Sequence, residues 1–144
     1  MKNRNQVVVL CLFLLGLFAA SCSAQEEKAD EKTEKVKIRA EKFLQTVREE
    51  RWSDIYKLVD VSTGKASSYS KDRFDITEND SEEAATRKVG DFFKSVYGAV
   101  KPGHIRSIEF KRDTFALISY WAGDLDGFYM HKIDGEWYYT LDYK

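Results

Sequence analysis

The spacing of apolar residues changes once along this chain, near Pro102, which is the only proline in the sequence. Before Pro102, large apolar side chains recur every three or four positions, as they do on one face of an α-helix. After it they alternate with polar residues, and 10 of the 20 aromatic residues lie in the last 41 positions. Such alternation and aromatic enrichment are typical of β-strands. The change predicts an α+β protein in which helices precede an antiparallel sheet.

Two amphipathic helices are predicted first. The apolar face of the first helix is Val36, Ala40, Phe43, Leu44 and Val47. The second helix is expected to follow Arg51, to be capped by Ser53 and to end near residues 62–64. Its apolar positions are Trp52, Ile55, Tyr56 and Val59. Residues 65–79 have few large apolar side chains and are predicted to form an irregular connection, with room for short strands.

A third helix is predicted after Asp80. Asp80 and Glu83 have the spacing of a capping box, in which the first side chain caps the helix and the second reaches back to it. The predicted buried face is Ala85, Val89, Phe92, Phe93, Val96, Tyr97 and Val100. Pro102 then ends the helical half, because proline cannot extend a helix backwards.

Four consecutive antiparallel strands are predicted to follow. Their ranges are Ile105–Phe110, Phe115–Ala122, Phe128–Ile133 and Glu136–Tyr143. Residues 111–114, 123–127 and 134–135 are the predicted loops. The loop over residues 123–127 leaves the register of the second strand open by one position, so its two faces are not assigned.

Asp134-Gly135 is typical of a two-residue type I′ turn, since both positions need positive φ. This turn places Ile133 opposite Glu136. The remaining predicted pairs are Lys132 with Trp137, His131 with Tyr138, Met130 with Tyr139, Tyr129 with Thr140, and Phe128 with Leu141. The face that carries Phe128, Met130 and Lys132 is mostly apolar, so we expect it to contact the helices.

The N-terminus resembles a bacterial export signal. Lys2 and Arg4 precede 14 residues, Val7 to Ala20, that include no charged side chain. As a helix this run would span about 21 Å, which is less than the ~30 Å hydrocarbon core of a bilayer. A removable signal peptide therefore fits better than a transmembrane helix.

The three small residues at positions 19–21 precede Cys22, and this arrangement resembles the lipobox of bacterial lipoproteins. The resemblance implies a signal peptide over residues 1–21, lipidation of Cys22, and attachment to a membrane of the bacterial cell envelope, facing the periplasm or the exterior. An ordinary secretory signal cut after Ala24 is the alternative. Residues 22–35 are rich in charge and predict a tether, and residues 36–144 predict one α+β domain.

Composition excludes several classes of site. The 23 basic and 24 acidic residues leave no basic excess for nucleic-acid binding. Cys11 and Cys22 lie outside the predicted domain, so no disulfide, cysteine nucleophile or thiolate metal site is expected within it. The spacing of the two histidines fits no metal motif, and Asp124 and Asp126 offer too few oxygens for calcium. No phosphate-binding loop or dinucleotide fingerprint occurs, so no cofactor is predicted.

The predicted order of elements is similar to that of the nuclear transport factor 2 and ketosteroid isomerase superfamily. Residues 43–56 resemble its opening helix, turn and second helix, and residues 135–138 resemble its last hairpin. The resemblance covers residues 36–144 and implies a cone-like domain, in which a curved sheet encloses a pocket against a helix. Superfamily members use the pocket as an enzyme site, as a binding site, or not at all.

In the enzymes of this superfamily an acidic residue or histidine acts as the base beside a tyrosine. The candidates here are His131, Tyr138, Tyr56 and Asp142, and the predicted register places His131 beside Tyr138. Packing on the sheet is the competing interpretation for this pair. Four further aromatic residues either form an exposed patch for a ligand or protein partner, or simply pack on the sheet. They are Trp121, Tyr129, Tyr138 and Tyr143.

No complete catalytic set is present, so the sequence favours an envelope lipoprotein that binds a small ligand or another envelope protein without catalysis. A lyase or isomerase of the ketosteroid isomerase type, using a pocket histidine or aspartate, is the first alternative. An inhibitor or immunity partner that binds through its sheet face is the second.

Overall fold

The computed structural model describes residues 29–142. The predicted signal peptide, Cys22, the first half of the predicted tether and Tyr143 lie outside this range. Contacts divide the chain into the units Met1–Glu34 and Lys35–Lys144, and the sheet belongs to the second. Within the described range, no helix has both the length and the apolar character needed to cross a membrane.

The first described helix, α1, covers residues 29–48. Its predicted apolar face is confirmed, because every one of its five residues is at most 1% exposed. Phe43 is the largest of these side chains. Burying a side chain of this size contributes roughly 1.5–3 kcal/mol, so this face anchors α1 to the protein core.

The predicted second helix is shorter than expected and has a different cap. Helix α2 covers only Trp52–Ile55, and its N-cap is Arg51, which makes no side-chain capping bond; the prediction of Ser53 as the cap was wrong. Two 3₁₀ turns follow, η1 at Tyr56–Leu58 and η2 at Asp60–Thr63. The helix breaks because Val59 is extended and forms a parallel bridge with Tyr139, which a helical residue could not do.

The segment predicted to be irregular contains a helix, α3, at Ser68–Arg73. The Ser67 side chain caps it by accepting a hydrogen bond from the Ser70 backbone N–H at 3.1 Å. Phe74, at its end, is 2% exposed. Tertiary burial of this side chain stabilises a helix that is too short to form alone.

Helix α4 covers Glu82–Tyr97, and its N-cap is Ser81 rather than Asp80. Ser81 Oγ accepts from the Ala84 N–H at 3.2 Å. Asp80 instead accepts from Thr77 and from Lys88 Nζ, so the predicted capping box is wrong. The predicted buried residues Ala85, Val89, Phe93 and Tyr97 are buried, Phe92 is half-buried, and Val96 and Val100 are about half exposed.

The sheet consists of β1 at Ile105–Arg112, β2 at Phe115–Ala122, β3 at Asp124–Ile133 and β4 at Glu136–Thr140. The strands are antiparallel and lie in the order β1-β2-β3-β4, as predicted. Three bounds differ from the prediction. Strand β1 is two residues longer, β4 ends at Thr140, and β3 begins at Asp124. The five-residue loop is replaced by a turn at Gly123, where φ is 85° and Ala122 pairs with Asp124.

The hairpin register after Ile133 is confirmed from Ile133↔Glu136 to Tyr129↔Thr140. Asp134 and Gly135 have φ values of 51° and 91°, as a type I′ turn requires. The predicted pair of Phe128 with Leu141 lies beyond the last residue of β4.

Aromatic side chains fill the space between the helices and the sheet. Phe43 of α1 lies 4.8 to 5.3 Å, ring centroid to ring centroid, from Tyr139, Phe128 and Phe93. In β2, the buried side chains are Ala116, Ile118 and Tyr120, so these three face the helices. This settles which face of β2 is buried, which the sequence left open. The predicted α+β class is confirmed. Residues 29–142 contain four α-helices packed with the four-stranded antiparallel sheet, and the additional helix is α3.

Candidate functional site

Two of the four predicted catalytic candidates share a groove between η1 and the β3–β4 hairpin. The groove has a volume of about 340 Å³. Its lining residues are Tyr56, Lys57, Ser62, Thr63, Glu82, Ile133, Asp134 and Tyr138. Burial and the negative charge of Glu82 raise the pKa of Tyr56 above its ordinary value. Its phenol is therefore neutral and able to donate a hydrogen bond at physiological pH.

Arg39 of α1 contacts the ring of Tyr138 and the backbone of the neighbouring Trp137. The guanidinium carbon of Arg39 lies 5.1 Å from the centre of the Tyr138 ring, which is within the range of a cation–π contact. Arg39 Nε also donates to the Trp137 carbonyl oxygen at 2.9 Å. These contacts fix the strand that carries Tyr138 against α1, so this wall of the groove is preorganised.

His131 is paired with Tyr138 across β3 and β4, as predicted. Its ring, however, stacks on Phe115 with a centroid separation of 4.2 Å and an angle of 14°. Burial lowers the pKa of His131, while the carboxylates of Asp60 and Asp142 act in the opposite direction. The imidazole is therefore mostly neutral at pH 7, and the structure describes no hydrogen bond between it and the Tyr138 side chain.

Asp142 lies just beyond β4, and its backbone N–H donates to Thr140 Oγ1 at 3.0 Å. Its carboxylate partly offsets the lowering of the His131 pKa that burial causes. The four candidates thus fall into two groups: Tyr56 and Tyr138 line the groove, whereas His131 and Asp142 are not among its lining residues.

Asp60 is a buried carboxylate and was not among the candidate residues predicted from the sequence. It is 1% exposed and accepts hydrogen bonds from Ser70 Oγ at 2.9 Å and Thr140 Oγ1 at 2.7 Å. Burial raises the pKa of Asp60, and its hydrogen bonds with Thr140, Ser70 and the Val61 backbone partly offset this. Asp60 lies between the apolar residues Val59 and Val61, and this position could have indicated burial. An acidic side chain is buried only when hydrogen-bond or charge partners accompany it, so the same position would also have predicted such partners.

A second polar chain lies inside the aromatic core. Tyr120 Oη is 2.9 Å from Asp126 Oδ2 and 3.1 Å from Tyr97 Oη. A carboxylate only accepts, so the Tyr120 hydroxyl donates to Asp126 and the Tyr97 hydroxyl donates to Tyr120. Tyr120 is fully buried and Asp126 is exposed, so the chain connects the core to the surface. Burial raises the pKa values of both tyrosines.

Among residues 29–142, no group of three or more histidine, cysteine and acidic side chains is arranged to hold a metal ion. Asp124 and Asp126, which were predicted to belong to a turn, lie instead in β3. No family model and no curated protein matches this chain.

Proposed function

We propose that this protein is a bacterial cell-envelope lipoprotein, attached to a membrane by acyl chains on Cys22, whose α+β domain binds a small ligand or another envelope protein. The observation that carries the proposal is the packed aromatic interior around Phe43. In the proposed relationship to the nuclear transport factor 2 superfamily, this is the space in which an enzyme would hold its substrate. A filled interior favours binding at the outer grooves.

The distribution of the candidate residues also supports a binding role. In a proton-transfer site, the base and the hydrogen-bond donor must both reach the reacting atoms of the same bound substrate. Here the imidazole of His131 is covered on one side by Phe115, and the tyrosines of the groove face charged and hydroxyl-bearing side chains. Such a lining suits recognition of a polar ligand.

The attachment is tested by mass spectrometry of the N-terminal peptide and by membrane fractionation. We expect acyl chains on Cys22 and recovery of the chain with membranes. Cys22→Ser is expected to abolish both, whereas Cys11→Ser, within the predicted signal peptide, leaves both unchanged. A mature chain that begins with unmodified Gln25 would contradict the proposal.

The binding role is tested with a photoreactive amino acid placed at Tyr56 in the groove. We expect crosslinks in intact envelopes from this position. The matched control is the same amino acid at Lys94, an exposed position of α4, where no specific crosslink is expected. Equal crosslinking at both positions would argue against the groove as the binding site.

A further inference from the structure

A second groove, on the α1 side of α2 and η1, concentrates positive charge. It has a volume of about 420 Å³. Its polar lining residues are Arg39, Lys42, Thr46, Arg51, Asp54 and Lys57. Four cationic side chains therefore converge with a single carboxylate, in a chain whose net charge is −1.

Arg39 is held rigidly, and its contacts leave its charge uncompensated. Its Nε donates to the Trp137 carbonyl at 2.9 Å and its Nη2 donates to the Lys57 carbonyl at 3.1 Å. Both acceptors are neutral, and the Tyr138 ring covers the guanidinium at 5.1 Å. A guanidinium has five N–H donors, so three remain for a ligand.

The two lysines of the groove are also uncompensated. Within the described part of the chain, no carboxylate lies within ion-pair distance of Arg39, Lys42 or Lys57. Arg51 is different, because it contacts Glu49 at 2.7 Å and Asp54 at 3.0 Å. Three positive charges thus remain unpaired around one concave surface.

We propose that this groove binds a phosphate group, with the Arg39 guanidinium as a fixed donor and Lys42 and Lys57 as flanking charges. Planar guanidinium groups match phosphate oxygens, and lysines add charge without demanding one geometry. This groove is distinct from the one that contains Tyr56, so the inference adds a second binding surface to the proposed function. The phosphate group belongs either to a soluble phosphorylated molecule or to the headgroup of an anionic lipid.

The test uses the full chain in neutral detergent micelles, with the Arg39 Nε–Hε resonance observed by NMR. Inorganic pyrophosphate is the soluble probe. In a parallel sample, phosphatidylglycerol replaces part of the detergent. A shift with pyrophosphate assigns a soluble ligand, and a shift only with phosphatidylglycerol assigns a lipid headgroup. Both outcomes support a phosphate site, and no shift with either probe would overturn it.

The variant Lys42→Gln/Lys57→Gln keeps the proposal falsifiable, because both side chains are exposed and their removal breaks no described side-chain contact. We expect it to weaken binding of the effective probe by ~10-fold or more, and Arg39→Gln to weaken it further. Lys94→Gln, which removes one exposed charge elsewhere, should leave binding unchanged. Undiminished binding in the double variant would refute the assignment. Mass spectrometry of Cys22 in the same sample tests attachment separately, so failure of one proposal is distinguishable from failure of the other.

Discussion

Replacing Asp60 with alanine should be among the most destabilising single changes in this protein. The carboxylate joins three elements, since it belongs to η2 and accepts from Ser70 of α3 and Thr140 of β4. A hydrogen bond to a charged group contributes about 1.5–3 kcal/mol, so two contribute about 3–6 kcal/mol. Relief from burying the carboxylate offsets part of this. We therefore expect the free energy of unfolding to fall by about 2–4 kcal/mol in Asp60→Ala.

The loss is measured by urea denaturation of the full chain, followed by tryptophan fluorescence. Trp137 is 2% exposed and pairs with Lys132 in the sheet, so its emission reports on the unfolding of β4, the strand that also carries Thr140. A loss of this size lowers the midpoint of thermal unfolding by about 8–16 °C, at ~4 °C per kcal/mol for a domain of this size. Asp91→Ala is the matched control, because Asp91 is exposed on α4 and should change stability by less than ~0.5 kcal/mol.

Two further variants separate the hydrogen bonds from other effects of the substitution. Ser70→Ala and Thr140→Val each remove one donor to Asp60 and should lose about 1.5–3 kcal/mol. Combined with Asp60→Ala, neither should add its full single effect, because the bond is already absent. If Asp60→Ala unfolds at the same urea concentration as Asp91→Ala, or if the effects are fully additive, the network does not stabilise the fold.

Three other predictions concern pH, close packing and the core. The pKa of Asp60 is raised in the native state, so the folded protein binds a proton at this carboxyl group more tightly than the unfolded chain does. The stability that this provides is fully present below pH 3.8 and is lost as the pH rises through the raised pKa. Asp60→Asn should flatten this decline when the free energy of unfolding is measured with urea between pH 4 and 8. Gly90→Val should lose about 1–3 kcal/mol, because a Cβ there would lie 3.1 Å from the Trp52 carbonyl oxygen, while Asp91→Val on the exposed face should lose less than ~1 kcal/mol in the same assay. Phe43→Ala should lose about 3–5 kcal/mol by urea denaturation, because it empties the centre of the aromatic cluster, and a loss below ~1 kcal/mol would show that the interior is not tightly packed.

The parts of the fold that were predicted correctly depend on short-range signals. Asp134-Gly135 fixes the β3–β4 register by itself, because few residue pairs adopt positive φ at both positions. The first helix was equally clear, since its apolar face from Val36 to Val47 has one regular period. These signals need no knowledge of what the elements pack against.

The parts that were missed depend on tertiary contacts. The backbone at Val59 is extended because it pairs with Tyr139, 80 positions along the chain, and no local pattern indicates that bridge. Helix α3 forms because Ser70 and Phe74 are buried. Asp80 lost the predicted capping role to Ser81 because Lys88 and Thr77 compete for its carboxylate.

The candidate sites show the same division. The sequence placed His131 beside Tyr138 through the turn register, and this was confirmed. It could not show that Phe115 stacks on the imidazole, since the faces of β2 were open by one position. The sequence also could not predict that Lys57 lies in one groove with Arg39 and Lys42 of α1. These residues come together only because η1 packs beside α1 in the folded protein.

The bridge between Val59 and Tyr139 has a consequence for how the sheet meets other molecules. Together with the hydrogen bond from Arg39 to the Trp137 carbonyl, it occupies the outer side of β4, where a foreign strand could otherwise attach. The opposite margin, β1, carries the charged residues Arg106, Glu109, Lys111 and Arg112, which disfavour attachment in register. We therefore expect the native protein to resist amyloid-like stacking, even though Trp121 on the neighbouring strand is 49% exposed.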